Sequence, residues 1–275
     1  MNRLRRIFWR LAEVNTPSYS ENRITPMVIK ILLNSGFKVS MDEHWNIIAS
    51  NGNTRNGEKL PLLCAHADTV NDSKGARVKL VYNNMRKVIH TSKFSEVLGG
   101  DDKCGIAIIL RLAEMAKKDG LKFVVLITRG EEVGVGAGKL NESIFDLCEY
   151  SIVIDRRGSG DIVHNIYGQE LCSKEFALWV EDMAPESIKT RKISSMHSDA
   201  AELAEWLEVV NLSCGYYDPH SDYEFVDVRD MHSALIWVKR IITTKYNPEK
   251  YVGLPFVTVD PYGSKSNKYG FGEIS

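Results

Sequence analysis

Net charge is almost absent from this chain. Of its 275 residues, 35 are lysine or arginine and 36 are aspartate or glutamate, which leaves −1. That balance argues against general binding to nucleic acid or to a membrane surface. Cysteine is sparse. The five residues Cys64, Cys104, Cys148, Cys172 and Cys214 are scattered and odd in number. No spacing among them suggests a disulfide framework or a cysteine zinc cluster, so a reducing compartment is expected. No apolar run is long enough to span a bilayer. The N-terminal stretch Met1 to Val14 is arginine-rich, but Arg10 and Glu13 interrupt its apolar positions, so it makes a poor signal peptide. The expectation is a cytoplasmic protein without nucleic-acid or membrane partners. Internal repeats and domain-separating linkers are also missing. The whole chain, 1–275, is therefore read as a single domain, with residues 246–275 as an irregular tail rich in glycine, tyrosine and proline.

What is present is a core. Hydrophobic residues make up 44% of the chain and charged residues 26%, as in a globular protein. Leu4, Ile7, Phe8 and Leu11 repeat at helical spacing and predict a helix over 3–14; a second is predicted over 21–35, ending at Gly36. Strands are expected near 37–41 and 46–50, then a polar loop over 51–58. Val78–Tyr82 and Lys87–Thr91 flank Asn83-Asn84 as a hairpin. Ile106, Ile109, Leu110 and Ala113 mark a helix. The runs at Leu60–Ala65, Lys122–Thr128 and Ser151–Ile154 read as strands buried on both faces. Further helices are marked by Phe176, Trp179, Val180 and Met183, by Ala200, Leu203, Ala204 and Leu207, and by Met231, Leu235, Val238, Ile241 and Ile242 behind an Asp227 cap. A strand is expected over 209–213. Strands alternating with helices predict an α/β fold: a mostly parallel central sheet sandwiched by helices.

In such folds, sites lie beyond the carboxyl ends of the strands. His66, Glu131, Glu132 and Asp155 fall there, His220 falls just past another strand, and Asp101 precedes a helix. His66, Asp101, Glu132, Asp155 and His220 make five nitrogen and oxygen ligands suited to zinc, and less specifically to cobalt or manganese. Five are too many for one tetrahedral ion and right for two if one carboxylate bridges. Asp68, two residues after His66, can fix the ring of that ligand. Glu131 sits beside a proposed ligand and can serve as general base.

The ordered set His66-x-Asp68, Gly-Gly-Asp101-Asp102-Lys-x-Gly, Glu131-Glu132, Asp155 and His220 resembles the M20 metallopeptidases, particularly the peptidase T branch. The glutamate-pair segment is also similar to the M42 and M28 aminopeptidases of the same clan. The resemblance covers roughly residues 1–245 and implies a zinc-exopeptidase fold of the phosphorylase/hydrolase-like kind. It further implies that His66 and Asp155 hold one zinc, Glu132 and His220 the other, that Asp101 bridges, that Asp68 orients His66, and that Glu131 is the base. Most M20 enzymes insert a lid between the counterparts of Asp155 and His220; here only residues 156–219 separate them, so a lidless chain is expected. Any oligomer must then form through another surface. Arg157, His197, Tyr216 and Tyr217 are candidates to stabilise the oxyanion.

The leading expectation is a two-zinc aminopeptidase acting on short peptides. The alternatives are an amidohydrolase or carboxypeptidase acting on N-acyl amino acids, which Arg156 and Arg157 would favour by gripping a carboxylate, and a non-catalytic metal-binding homologue. Asp102 and Lys103 read as solvated loop charges with a structural role, and Asp199 as a helix N-terminal group. His44, His90, His164 and His232 read as ordinary histidines.

Overall fold

The apolar periodicity of the N-terminus yields helix α1 (Arg3–Ala12), capped by the Asn2 side chain, which accepts the Leu4 N–H at 3.1 Å. The computed structural model describes residues 2–52, 57–70, 75–93, 96–195 and 197–259. The helix predicted over 21–35 splits into a single 3-10 turn (Glu21–Arg23) and α2 (Thr25–Asn34). Pro26 explains the restart: it lies in the first turn of α2, where its missing N–H costs nothing. There follow β1 (Lys38–Met41), β2 (Ile47–Ser50), β3 (Leu60–His66) and the hairpin β4 (Leu80–Asn83) and β5 (Val88–Thr91). Helix α3 (Gly100–Asp119) leads to β6 (Val124–Thr128), and β7 spans Cys148–Arg156. Of the polar loop expected over 51–58, residues 53–56 lie outside the described residues.

Residues 156–219 supply both strands and helices. They supply β8 (Asp161–Ile166), β9 (Gln169–Glu170), α4 (Lys174–Asp182), β10 (Arg191–Ser195), α5 (Ala200–Leu203), β11 (Val209–Ser213) and β12 (Tyr216–Tyr217). β13 (Phe225–Asp227), α6 (Val228–Thr243) and β14 (Thr258–Val259) follow. The tail expected to be irregular thus contributes a turn at Pro248–Tyr251 and a short edge strand; residues 260–275 lie outside the described residues.

The main sheet runs β1-β2-β6-β3-β7-β11-β8-β10-β14, with β9 paired to β8. Its centre is parallel: β3 pairs with β6 and β7, and β7 with β11. β1 and β2 are antiparallel additions at one edge, and β8 runs antiparallel to β11. A small antiparallel sheet, β12-β13-β5-β4, lies apart from it.

The two faces of the sheet are sorted by alternate residues. On β3 and β6, Leu63, Ala65, Val125 and Ile127 pack with α1, α2, α3, α4 and α6. Leu62, Cys64, Val124 and Leu126 face the other way, onto a thinner cover of α5 and the segment around Ala137–Phe145. Helices therefore dominate one face, and the other is covered mainly by turns. One glycine is dictated by the closeness of the layers. A Cβ on Gly105 in α3 would lie 2.2 Å from the Ile154 carbonyl oxygen of β7. That contact draws the start of α3 against the carboxyl ends of the strands.

Candidate metal centre

Because β3, β6 and β7 are parallel, their carboxyl ends lie on one side of the sheet and deliver His66, the turn after Thr128, and Asp155 to the same place. The turn Glu131–Val133 is a single 3-10 turn entered and left through Gly130 and Gly134, both at positive φ. Asp101 and Asp102 fall at the start of α3 with non-helical backbone angles, and the peptide between them is cis. The loop after β12 brings in His220.

The five expected ligands converge around Asp101. Its Oδ1 lies 2.9 Å from His66 Nε2 and its Oδ2 lies 3.2 Å from His220 Nε2. His66 Nε2 is also 3.5 Å from Asp155 Oδ1, and His220 Nε2 is 3.1 Å from Glu132 Oε1. Glu131 Oε2 stands 3.9 Å from His66 Nε2. Among the described residues, two groups of three have ligand atoms mutually close enough for one ion: His66, Asp101 and Glu132, and His66, Asp102 and Asp155.

The cluster is crowded with charge. Four carboxylates face two imidazoles, and all of them except His220 are largely buried. Burial, then the neighbouring Asp101, pushes Asp155 up to about 7. Burial, only partly offset by His66 and reinforced by Asp155, pushes Glu131 up to about 9. Hydrogen bonds to Asp101 and Glu132 raise His220 to about 10. Burial opposes charge on His66, but Asp155 and Asp101 overcome it and hold its pKa well above the usual range. Carboxylate oxygens and imidazole nitrogens packed this closely are a nitrogen and oxygen donor set whose negative charge divalent cations would balance. By this test the residues fit a metal pair.

Asp68 plays a wider part than orienting a ring. His66 Nδ1 donates to the Asp68 backbone carbonyl at 3.0 Å, while the Asp68 carboxylate stands 3.5 Å away. That fully buried carboxylate accepts the Glu131 N–H (3.1 Å), the Glu132 N–H (3.2 Å) and the Ser18 hydroxyl (2.8 Å). It therefore pins the glutamate pair by its backbone.

Several supports escaped the sequence reading. Asp102 and Lys103 are buried, not solvated. The Asp102 carboxylate accepts the His66 and Gly105 N–H groups, tying β3 to α3, and Lys103 Nζ donates to the Val14 carbonyl. Asp199 occupies a helix N-cap position but makes no capping bond. Its buried carboxylate instead accepts the Thr128 hydroxyl at 2.5 Å and the Ala137 N–H at 2.7 Å, fixing the far end of the glutamate loop. Glu224 accepts the Gly99 and Asp101 N–H groups and backs the central carboxylate. Asn211 and Ser198 brace Asp155. Nothing in the local pattern around Asp199 or Glu224 distinguishes either from a surface carboxylate.

The carboxylates open into a cavity of about 510 Å3. Arg157, His197 and Tyr216 line it, with the Tyr216 hydroxyl 3.3 Å from Asp155 Oδ1. Tyr217 donates its hydroxyl to Asp230 and does not line the cavity. His164 lies against Thr258 and His44 beside Glu43.

The sequence matches no protein-family model and no curated protein. Solved structures do match. An aminopeptidase PepT from Bacillus cereus superposes with a TM-score of 0.73 at 18% identity, over 87% of this chain and 97% of that one. A tripeptidase from Staphylococcus aureus gives 0.75 at 17%, over 87% and 97%. An aminopeptidase from the archaeon Desulfurococcus kamchatkensis gives 0.67 at 14%, over 93% and 98%. The fold is that of these peptidases. The ten-stranded main sheet, mixed and mostly parallel with helices packed against it, agrees with the class expected from the alternation of strands and helices. Among the described residues, no helix is long and apolar enough to cross a membrane.

Proposed function

We propose that this chain is a two-metal exopeptidase, most simply a zinc aminopeptidase of the peptidase T-like M20 kind without a lid, hydrolysing short peptides in the cytoplasm. One observation carries the reading: the two oxygens of Asp101 face two different imidazoles, as a bridging carboxylate must. His66 and Asp155 would hold one ion and Glu132 and His220 the other, with Asp101 shared. The donor set suits zinc best, and cobalt or manganese less specifically.

When bound, such ions supply Lewis acidity and make water acidic enough to be a nucleophile at neutral pH. The chain's own groups do the rest. Glu131 takes a proton from the attacking water and returns it to the leaving amine. Asp68 holds the Glu131–Glu132 backbone so that one carboxylate ligates while its neighbour faces the substrate. Asp101, Glu131, Glu132 and Asp155 make the cavity strongly acidic and attractive to a peptide's α-ammonium group. Residues 156–219 are used up in the sheet, which leaves the cleft open and any oligomer to other surfaces. The neighbouring TET1 peptidase of Pyrococcus horikoshii is described as assembling into a tetrahedron or a large octahedral shell; our reading makes no such assembly necessary here. A second reading, an amidohydrolase or carboxypeptidase on N-acyl amino acids, draws support from Arg156 and Arg157 at the cavity wall.

The test combines metal analysis with two variants and a panel of peptides and acyl-amino acids. Two ions per chain are expected after dialysis against zinc. Glu131→Gln should retain both and lose about 10²–10⁴-fold in turnover, whereas Glu132→Gln should bind metal more weakly. A stoichiometry near zero, or full activity in Glu131→Gln, would overturn the reading. Preference for acyl-amino acids over free peptides would select the second one.

A further inference from the structure

Three exposed aromatic residues carry a backbone that suits glycine or asparagine. Tyr19, Trp45 and Tyr167 have φ of 70°, 69° and 49° and are 62%, 63% and 75% exposed. A bulky side chain is unfavourable at such angles. Tyr19 is tied down locally: its carbonyl accepts from Arg129, its N–H donates to Glu21, and the Arg129 guanidinium lies over its ring. Trp45 donates its N–H to the Asp42 carbonyl at 3.1 Å within the β1–β2 hairpin. Tyr167 has no such tie. Among the described residues its hydroxyl makes no hydrogen bond and its ring meets no other ring or cation.

Tyr167 and Gly168 form the two-residue turn between β8 and β9, closed by Ile166 pairing with Gln169. Gly168 is also at positive φ, 89°, and donates its N–H to the Asn165 side chain at 2.9 Å. Two-residue hairpin turns of this kind favour asparagine followed by glycine. Tyrosine in the first place strains the turn, and its exposed ring offsets none of that strain by packing. The ring has one distinction: of the three strained aromatics, Tyr167 alone lines the cavity of the metal centre. Strain kept where no packing offsets it points to a contact made outside the chain.

The sheet bends to bring the turn there. The register of β10 on β8 shifts between Ile193 and Ser194, and beyond the shift Ser195 pairs with Ile166, the residue before Tyr167. Arg156 follows the proposed ligand Asp155, and its one side chain reaches both Asp161 at the start of β8 and Ser195 at the end of β10. The length of an arginine thus separates the metal end of the cavity from the strands that carry the turn. At about 3.3 Å per residue, that length is about two residues of extended peptide. We propose that Tyr167 is a specificity-determining residue whose ring receives a large apolar side chain, aromatic above all, carried by the substrate two residues beyond the hydrolysed bond. The inference rests on the peptidase reading above. With the α-ammonium group among the carboxylates, the side chain that meets the ring is that of the third residue. An exposed phenol on a two-residue turn presents a flat face at a fixed place, and aromatic rings pack on one another edge-to-face or offset.

The test compares Ala-Ala-Phe with Ala-Phe-Ala and Ala-Ala-Ala, in the parent and in Tyr167→Ala, Tyr167→Phe and Tyr167→Asn. Hydrolysis is read on the zinc-loaded chains. Binding is read by calorimetry on the same chains carrying Glu131→Gln as well, where turnover is slow. Ala-Ala-Phe should bind about 2–10-fold more tightly than the other two, as one aromatic pair allows, and kcat/KM should follow the same ratio. Tyr167→Ala should remove the preference and Tyr167→Phe should keep it. Tyr167→Asn suits the turn, so it should remove the preference while raising Tm by about 2–4 °C. Equal binding of the three peptides, a preference for Ala-Phe-Ala, or a preference unchanged in Tyr167→Ala would overturn the assignment. So would a lower Tm in Tyr167→Asn, which would make the ring a structural support. If the peptidase reading alone is wrong, no peptide will be hydrolysed, while the calorimetric preference for Ala-Ala-Phe and its loss in Tyr167→Ala will remain.

Discussion

Replacing Asp68 by asparagine tests how the glutamate pair is held. The change keeps size and shape and alters only charge and donor pattern. One oxygen of the native carboxylate takes the Glu131 N–H, and the other takes the Glu132 N–H and the Ser18 hydroxyl. The amide has a single oxygen. Whichever N–H it satisfies, its own NH2 faces the other, and a buried donor loses its partner at a cost of about 1–3 kcal/mol. The surviving bond becomes neutral and gives up about 1 kcal/mol more. The serine hydroxyl can rotate to accept, so it offsets part of the loss. The expected destabilisation is about 2–4 kcal/mol, seen in urea titration and as a fall in Tm of roughly 4–16 °C for a chain of this size. Ser18→Ala is the control, removing one bond at about 1 kcal/mol and leaving the turn in place. With Glu131 as the base proposed above, function should suffer more than stability, because displacing such a group by about 1 Å can cost about 100-fold in rate. If Asp68→Asn unfolds within about 0.5 kcal/mol of the parent and turns substrate over at the parent's rate, the carboxylate does not hold the turn.

Two other changes probe the frame around the site. Gly105→Ala drives a methyl group against the Ile154 carbonyl and the Asp102 carboxylate, and should cost about 1–3 kcal/mol by overpacking, read by urea titration; a neutral result would mean that α3 and β7 are not in contact there. Glu114, on α3, pairs with Arg3 of α1 through two oxygens and also meets Arg111. Burial opposes its charge, but Arg3 wins and holds its pKa below the usual carboxylate range. A lowered folded pKa means stability that is present above the unfolded value of about 4.3 and lost as pH falls through the folded one. Glu114→Gln should therefore cost about 0.5–1 kcal/mol at pH 7, and the gap from the parent should close on acidification; a gap that widens would contradict the pairing.

The strands that matter most were the easiest to read. β3, β6 and β7 are covered on both faces, and a strand so placed is a nearly continuous apolar run. Its polar terminus then stands out, which is why His66, Glu131, Glu132 and Asp155 could be named from the sequence and are found together. β8 and β10 escaped notice because Asp161-Ile-Val-His-Asn-Ile and Arg191-Lys-Ile-Ser-Ser have little apolar contrast; they are strands because β11 and each other offer hydrogen-bonding edges. Buried charge was invisible for the same reason. Nothing local tells Asp102, Lys103, Asp199 or Glu224 from surface residues. Each is buried because a distant segment presents it with backbone donors, a carbonyl or a hydroxyl. The loop of turns over the second face was missed because 3-10 turns carry no long periodicity.

The order of strands in the sheet has a consequence for how the chain is made. β3 is followed in sequence by a hairpin and a long helix, but its sheet neighbours are β6 and β7. On a ribosome adding about 5–20 residues per second, roughly 3–12 s pass between the synthesis of His66 and that of Thr128. Throughout that interval the seven-residue strand Leu60–His66, entirely buried in the finished protein, has neither flank paired. Pairing across such sequence distances is slow even once both partners exist. The strand that ends in His66 is thus an adhesive segment of the nascent chain, and one a chaperone would have reason to hold.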